Sequence, residues 1–308
     1  MAVFFERFRA EVARYADGVH QLGEPAPKTA VTGLPEELAA FLRSWNGADL
    51  FIDAVTILDA TRVVKEGELV VFGATAGGDR LALDPDGAVV RLEEDTGEAL
   101  VEGTAFARWI EGFVVAEGTL YDREGEYKDD VFDDSGEELA PEVIERRERK
   151  ALKIDPGAPA PTWRLARALD RLGHAKKAAE LLRELTARAP RFGWAWFDLG
   201  RLERAAGRPA EAEAAFAAAS EADPEYEHAG YFAAHAARAA AERGDDAARA
   251  RHAARALDLD PDLARAQRDA AARLLGEDRR PEALEAAQIA AALAPRDLGV
   301  LDLVRRCQ

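Results

Sequence analysis

Prolines at positions 156, 190, 224, 261 and 295 punctuate the second half of the chain at steps of 34, 34, 37 and 34 residues. Each closes a stretch of helical composition: "ALKIDP", "LTARAP", "ASEADP", "ALDLDP" and "AALAP". Proline lacks the N–H that would continue such a helix, so these are real stops. Gly173, Gly207 and Gly244 keep the same step, and so do Ala178, Ala212, Arg249 and Ala283. A period of this length builds helix–turn–helix units. Each unit has one apolar face that it cannot bury alone, so neighbours must stack into a continuous core. This half is expected to be an all-α solenoid.

The pattern resembles the tetratricopeptide repeat over roughly 141–308. The unit 193–226 carries Trp196, Leu199, Gly200, Gly207, Ala212, Phe216, Ala219 and Pro224 at that family's large, small and proline positions. The unit from 159 has Leu165, Ala166, Leu169, Gly173, Ala178, Leu182 and Pro190. From 230 and 264 the match weakens. Arg249 replaces the small residue, three extra residues sit near "YEH", and Ala233 and Gln267 stand where the tryptophan belongs. "PEVIERRERKALKI" (141–154) reads as the second helix of a preceding unit, and "RDLGVLDLVRRCQ" as a solvating closing helix.

The resemblance assigns roles within "GWAWFDLG" (193–200). Trp196 is expected in the core with Phe216, in the gap that Ala178 and Ala212 leave between paired helices. Trp194 and Phe197 are expected on the inner face, and the same offsets pick out Trp163 and Tyr231. The alternative for Trp163 and Trp194 is that they cover a junction with another helix or with the amino-terminal domain. Arg167, Arg201 and Arg238 occupy one equivalent position, with Arg171 and Arg204 a turn further on. Guanidinium groups beside exposed rings suit an extended acidic peptide, because arginine pairs with carboxylates in a planar, bidentate way. The alternative is a solvated arginine-rich face paired with local Glu and Asp.

Charge separates the halves. The net charge is −17, but residues 1–140 hold 30 acidic and 12 basic side chains, a balance of −18. Such a module is a poor nucleic-acid binder. A single cysteine, Cys307, excludes an internal disulfide and fits a reducing compartment. No run of about 18 apolar residues marks a membrane span, and the first residues do not read as a signal peptide. A cytoplasmic location is expected, with no membrane contact.

The first half reads as an α+β domain. "LPEELAAFLRSWNGADLF" (34–51) spaces Leu34, Leu38, Phe41, Leu42 and Trp45 as a helix that ends at Asn46-Gly47. "LFIDAVTIL", "ELVVFGATAGG" and "RLALDPDGAVVRLEE" read as strands, with a hairpin turn at Asp84-Pro85-Asp86-Gly87. "TAFARWIEGFVVAEG" reads as a closing helix burying Phe106, Trp109, Ile110 and Phe113, and residues 3–17 as an opening one. This series resembles the SUKH superfamily of Smi/Knr-type regulators and bacterial Syd-like proteins over about 30–117. It does so on Leu34-Pro35, Phe41-Leu42, Asn46-Gly47, Gly77-Gly78-Asp79, Leu81 to Asp84, and Phe106 with Trp109. The resemblance implies binding without chemistry, either neutralisation of a basic toxin or nuclease by an immunity-type protein or adaptor work. Asp49, Asp79 and Asp84 are its candidate contacts to a basic partner.

Enzymatic readings find little. The histidines lie at 20, 174, 228, 235 and 252 without metal-ligand spacing, and "GATAGGD" lacks the lysine and helix of a phosphate cradle. The acidic run 121–138 misses the register of a calcium loop and reads as a solvated linker. A hydrolase built on these carboxylates is an outlying alternative. The expected organisation is a SUKH-like domain with an opening helix (1–120), an acidic linker (121–140) and a tetratricopeptide solenoid with its capping helix (141–308). The expectation is a non-enzymatic interaction protein with no cofactor and no metal. Its leading form is an immunity-type protein that neutralises a basic toxin or nuclease. The alternative is an adaptor that binds a client peptide in the repeat groove.

Overall fold

The computed structural model describes residues 5–308, in two compact units, Met1–Ala178 and Ala179–Gln308. The first two residues of the helix expected over 3–17 lie outside the described residues, and the described part is α1, Glu6–Val12.

The first unit continues with β1 (His20–Leu22), α2 (Glu36–Leu42), β2 (Ala48–Leu50), β3 (Val55–Ile57), β4 (Val64–Glu66), β5 (Leu69–Thr75), β6 (Arg80–Leu83), β7 (Val89–Leu92) and β8 (Ala99–Gly103). Three helices follow or close it: α3 (Phe106–Glu117), α4 (Pro141–Ile154) and α5 (Pro159–Arg171). Among the described residues the strands form one antiparallel sheet in the order β1-β2-β3-β5-β6-β7-β8, with β4 also on β5. Asn46 and Gly47 act after the end of α2: Gly47 takes φ 96°, and Asn46 Oδ1 accepts the Ala60 N–H at 2.8 Å. The core is aromatic. Phe8, Phe41, Phe72 and Phe106 are fully buried, and Phe41 meets Phe8 and Phe106 edge to face at 5.4 and 5.5 Å.

The segment 121–140 is packed structure and not a solvated linker. Tyr121 and Val131 belong to the buried core, and bridges join Tyr121 to Tyr127 and Phe132 to Leu139. Its carboxylates fold it. Asp122 Oδ1 accepts the N–H groups of Glu124 and Glu126, and Asp133 Oδ1 accepts that of Ser135. Gly125 and Gly136 then take the left-handed turn position. Asp84 does the same for Asp86 and Ala88 in the β6–β7 hairpin, with Gly87 following. One local code, Asp-x-x-Gly, makes all three hairpins. Lys128 adds Nζ donations to the Gly118 and Thr119 carbonyls at 3.2 and 2.8 Å.

Helices α4 and α5, expected in the solenoid, fold with the sheet. Arg164 of α5 pairs both oxygens of Glu102 on β8, at 2.9 and 2.8 Å, and its Nε donates to Glu148 of α4 at 3.0 Å. Arg91 shares Glu102, and Arg147 reaches Glu117 at 3.2 Å. Burial pushes the Glu102 carboxyl up, but Arg164 and then Arg91 outweigh it and hold it below its ordinary range. Asp155 accepts the Thr104 N–H and hydroxyl at 2.6 and 2.7 Å. A charge sequestered among opposite charges stays ionised and ties the elements that carry them.

The boundary between the units falls inside α6 (Ala175–Arg188). Then come α7 (Gly193–Ala205), α8 (Pro209–Ala222), α9 (Ala229–Glu242), α10 (Asp246–Leu259), α11 (Leu263–Gly276), α12 (Arg280–Leu293) and α13 (Leu298–Cys307). The repeat turns are left-handed at Gly173, Gly207 and Gly244, with φ 78°, 72° and 73°; one step later Asp278 holds the position at φ 59°. A methyl on Gly200 would meet the Phe216 ring at 2.7 Å, which is why the paired helices require glycine there. Cys307 is the last residue of α13. It is buried with Leu303 against α11 and α12.

The stacking changes at the fourth pair. α7 packs on α8, α8 on α9 and α9 on α10, but α11 barely touches α10. Instead α12 packs on α9 and α10.

Candidate protein-binding face

Helical spacing places Trp194, Phe197, Arg201 and Arg204 along one side of α7. The core ring of this segment is Phe197, only 7% exposed, and not Trp196. Phe197 sits among Phe216, Phe232, Tyr231 and His235 with ring separations of 5.5, 5.0, 5.7 and 5.0 Å. Trp196 stays half-buried and donates its Nε1–H to the Pro190 carbonyl at 3.0 Å. The indole thereby ties the incoming proline turn to the first turn of α7.

Trp194 does not line an open groove. Its ring lies 5.1 Å from Phe232 and 5.3 Å from His228, and Nε1–H donates to the Tyr226 hydroxyl at 3.0 Å. Tyr226 and His228 come from the extra residues before α9, which wrap the indole. Tyr231 is half-buried against His235 at 4.5 Å. Burial, reinforced by the charges of Arg238, Arg204 and Arg201, holds His235 neutral far below its usual range.

The arginines divide by their partners. Arg238 is buried, its side chain 5% exposed; Nη1 donates to Glu285 of α12 at 2.9 Å and Nη2 to Gln288. Its Nε lies 3.4 Å from Glu242 without hydrogen-bonding geometry. Burial, with Arg204 beside it, lowers the Arg238 pKa, while Glu285 and Glu242 push back. Arg204 pairs with Glu242 at 2.9 Å and lies 3.9 Å from Glu285. Arg201 is exposed and pairs with Asp198 at 3.0 Å. In the first unit, exposed Arg167 lies over the Trp163 ring at 5.0 Å, and Arg171 pairs with Asp133 and Glu138 at 3.6 and 3.2 Å. All five arginines thus have partners within the chain, and Arg167, Arg171 and Arg201 are also exposed to solvent.

The three acidic candidates of the first unit serve the fold. Asp49 accepts the Thr56 hydroxyl at 2.8 Å, Asp79 pairs with Arg91 at 2.7 Å, and Asp84 holds its hairpin. Sequence reasoning did not identify Glu285, Gln288, Tyr226 or Phe232. The acidic first turn and apolar face of α12 were the available signal for the first two, but nothing in a repeat pattern says that α12 meets α9. Among the described residues no histidine, cysteine or carboxylate cluster is arranged to hold a metal, and no helix is long and apolar enough to cross a membrane.

Comparison with known proteins bears on the repeats. No curated protein matches this sequence. Among solved structures, the chain is similar to a thermophilic tetratricopeptide-repeat protein of Thermus thermophilus, at 24% identity over 54% of this chain and 90% of that one, with a TM-score of 0.35. It is also similar to YrrB, a tetratricopeptide-repeat protein with an unusual peptide-binding site, at 20% identity over 52% and 81%, TM-score 0.35. The pilF protein of Pseudomonas aeruginosa follows at 21% identity over 54% and 75%, TM-score 0.39. Residues 173–238, from the turn before α6 to Arg238 on α9, match the tetratricopeptide repeat family, so this segment carries tetratricopeptide repeats.

Proposed function

We propose that the protein is a non-enzymatic, cytoplasmic adaptor whose repeats hold a partner protein. The observation that carries this reading is the match of 173–238 to a repeat family, on a segment where α7 carries the exposed side chain of Arg201. Repeats of this kind offer extended surfaces built from many shallow positions, which suits a peptide or helix better than a small substrate. The exposed guanidinium of Arg201 favours a partner bearing carboxylates.

The amino-terminal unit supplies a second contact in this reading. Its order of helix, antiparallel strands and helix supports a SUKH-like assignment. The balance of −18 over residues 1–140 favours a basic partner there, because opposite charge steers association. An immunity-type protein that neutralises a basic toxin is the second reading, and that charge is what favours it.

Cross-linking of the full chain to a co-purified partner, followed by peptide mapping, tests the proposal. Links concentrated on α7 and α9 support the adaptor. Links confined to residues 1–140 support the immunity-type reading.

A further inference from the structure

A cavity of about 340 Å³ lies within the first unit, between the sheet and helices α3, α4 and α5. That volume falls at the lower end of the range for small-molecule sites, about 300–1,000 Å³. One wall is apolar. Trp109 and Phe113 stack at 5.8 Å along α3, and Leu81, Val55 and Ala116 continue the surface. The other wall is charged, with four guanidiniums and four carboxylates. Most of these are satisfied within the fold. Arg164 and Arg91 share Glu102, Glu148 accepts from Arg164, and Asp155 holds Thr104. Arg147 of α4 and Glu117 of α3 are not. The Arg147 guanidinium lies 3.2 Å from Glu117 and 3.9 Å from Glu148, and neither contact has hydrogen-bonding geometry. The Glu117 side chain is only 9% exposed, and its buried Oε2 accepts no hydrogen bond among the described residues. Burial works against the charge on Arg147, but Glu117 and then Glu148 outweigh it and hold its pKa above the ordinary arginine value.

We propose that this cavity binds a free α-amino acid with an apolar side chain, its carboxylate on Arg147 and its ammonium on Glu117. Each protein group then gains the hydrogen bonds that the fold does not give it, and charge-assisted bonds of this kind are the strong ones. The balance of charge favours a zwitterion. Four positive and four negative side chains already cancel in a site of low dielectric, so a ligand of either net charge would leave an excess there. A zwitterion adds none. Both charges of an amino acid stand on one carbon, which suits two groups 3.2 Å apart. Inside a peptide one or both are lost. The remaining substituent lies along Trp109 and Phe113, where burying apolar surface adds affinity. The lining comes wholly from the first unit, so this binding is independent of the repeats and of any partner they hold.

The test is calorimetric titration of the full chain with L-phenylalanine and L-leucine, and with hydrocinnamate and phenethylamine, which each lack one of the two charged groups. Concentrations up to about 5 mM fill even a weak site. The amino acids should bind, and hydrocinnamate and phenethylamine at least about ten-fold more weakly than L-phenylalanine. Arg147→Met should weaken L-phenylalanine about ten-fold or more. Glu117→Gln should weaken L-phenylalanine similarly and hydrocinnamate not at all, because only the ammonium meets that carboxylate. No binding of either amino acid to the wild type overturns the proposal, and so does binding of hydrocinnamate or phenethylamine as tight as that of L-phenylalanine. A folded Arg147→Met or Glu117→Gln chain that binds L-phenylalanine as the wild type does overturns it as well. Should either variant fail to fold, the comparison of the four ligands on the wild type decides alone.

Discussion

The Phe197 and Phe232 rings lie 5.0 Å apart at an interplanar angle of 31°, so the face that α7 turns toward α9 is a sealed aromatic seam. Whatever binds to these repeats binds over that seam and not into it.

Truncation of the three α7 rings should therefore rank in a set order. Phe197→Ala removes a buried ring and should cost about 3–5 kcal/mol of unfolding free energy. Trp194→Ala should cost about 2 kcal/mol, because it loses the Phe232 contact and the Tyr226 hydrogen bond but is only half-buried. Trp196→Ala should cost about 1 kcal/mol or less. Denaturant titration of the three variants checks the order; a larger loss for Trp196 than for Phe197 contradicts the packing.

His235 makes the second unit sensitive to acid. Its folded pKa lies far below the unfolded value of about 6.5, so below that pH the unfolded chain takes up a proton that the folded chain refuses. Stability is full above about pH 6.5 and is lost as pH falls, by up to about 1.4 kcal/mol per pH unit from this group. His20, lowered to about 4 by burial, works in the same direction in the first unit. Thermal unfolding between about pH 7.5 and 5 should show the loss for the α7–α13 unit, and His235→Leu should flatten it.

The acidic segment should resist proteases. Limited digestion of the native chain should spare 121–138, because its hairpins are hydrogen-bonded and Val131 is fully buried. Arg164→Met, which leaves Glu102 and Glu148 facing each other, should cost about 3 kcal/mol and open this segment and α5 to cleavage. Cleavage of the wild type there as fast as in the variant contradicts the packed arrangement.

Asp278 holds a turn that glycine holds in the three preceding units. Asp278→Gly should relieve the left-handed strain and raise stability by about 0.5–1 kcal/mol, visible as a higher Tm.

Elements with local causes were legible in the sequence. The 34-residue step, the proline stops and the left-handed glycines located the helices α5–α12, and Asp84 to Gly87 located a hairpin. The same Asp-x-x-Gly spacing at 122–125 and 133–136 was present, but the surrounding charge read as solvation and masked it. Which ring is buried was not legible, because helical phase fixes only the spacing between Trp196 and Phe197 and not which neighbour each faces. The partners of the arginines were missed for a different reason. Glu285 lies 47 residues from Arg238 and reaches it because α12 replaces α11 in the stack, a tertiary choice that no local pattern encodes.

The most direct measurement is the affinity of the co-purified, mapped partner for the full chain and for the Arg201→Glu variant, by calorimetry at two salt concentrations. Arg201 is exposed, so the variant should fold as the wild type does. The adaptor account predicts a loss of about ten-fold or more in affinity and a weaker salt dependence in the variant. Unchanged affinity in a variant that is folded, for a partner mapped to α7 and α9, would contradict it.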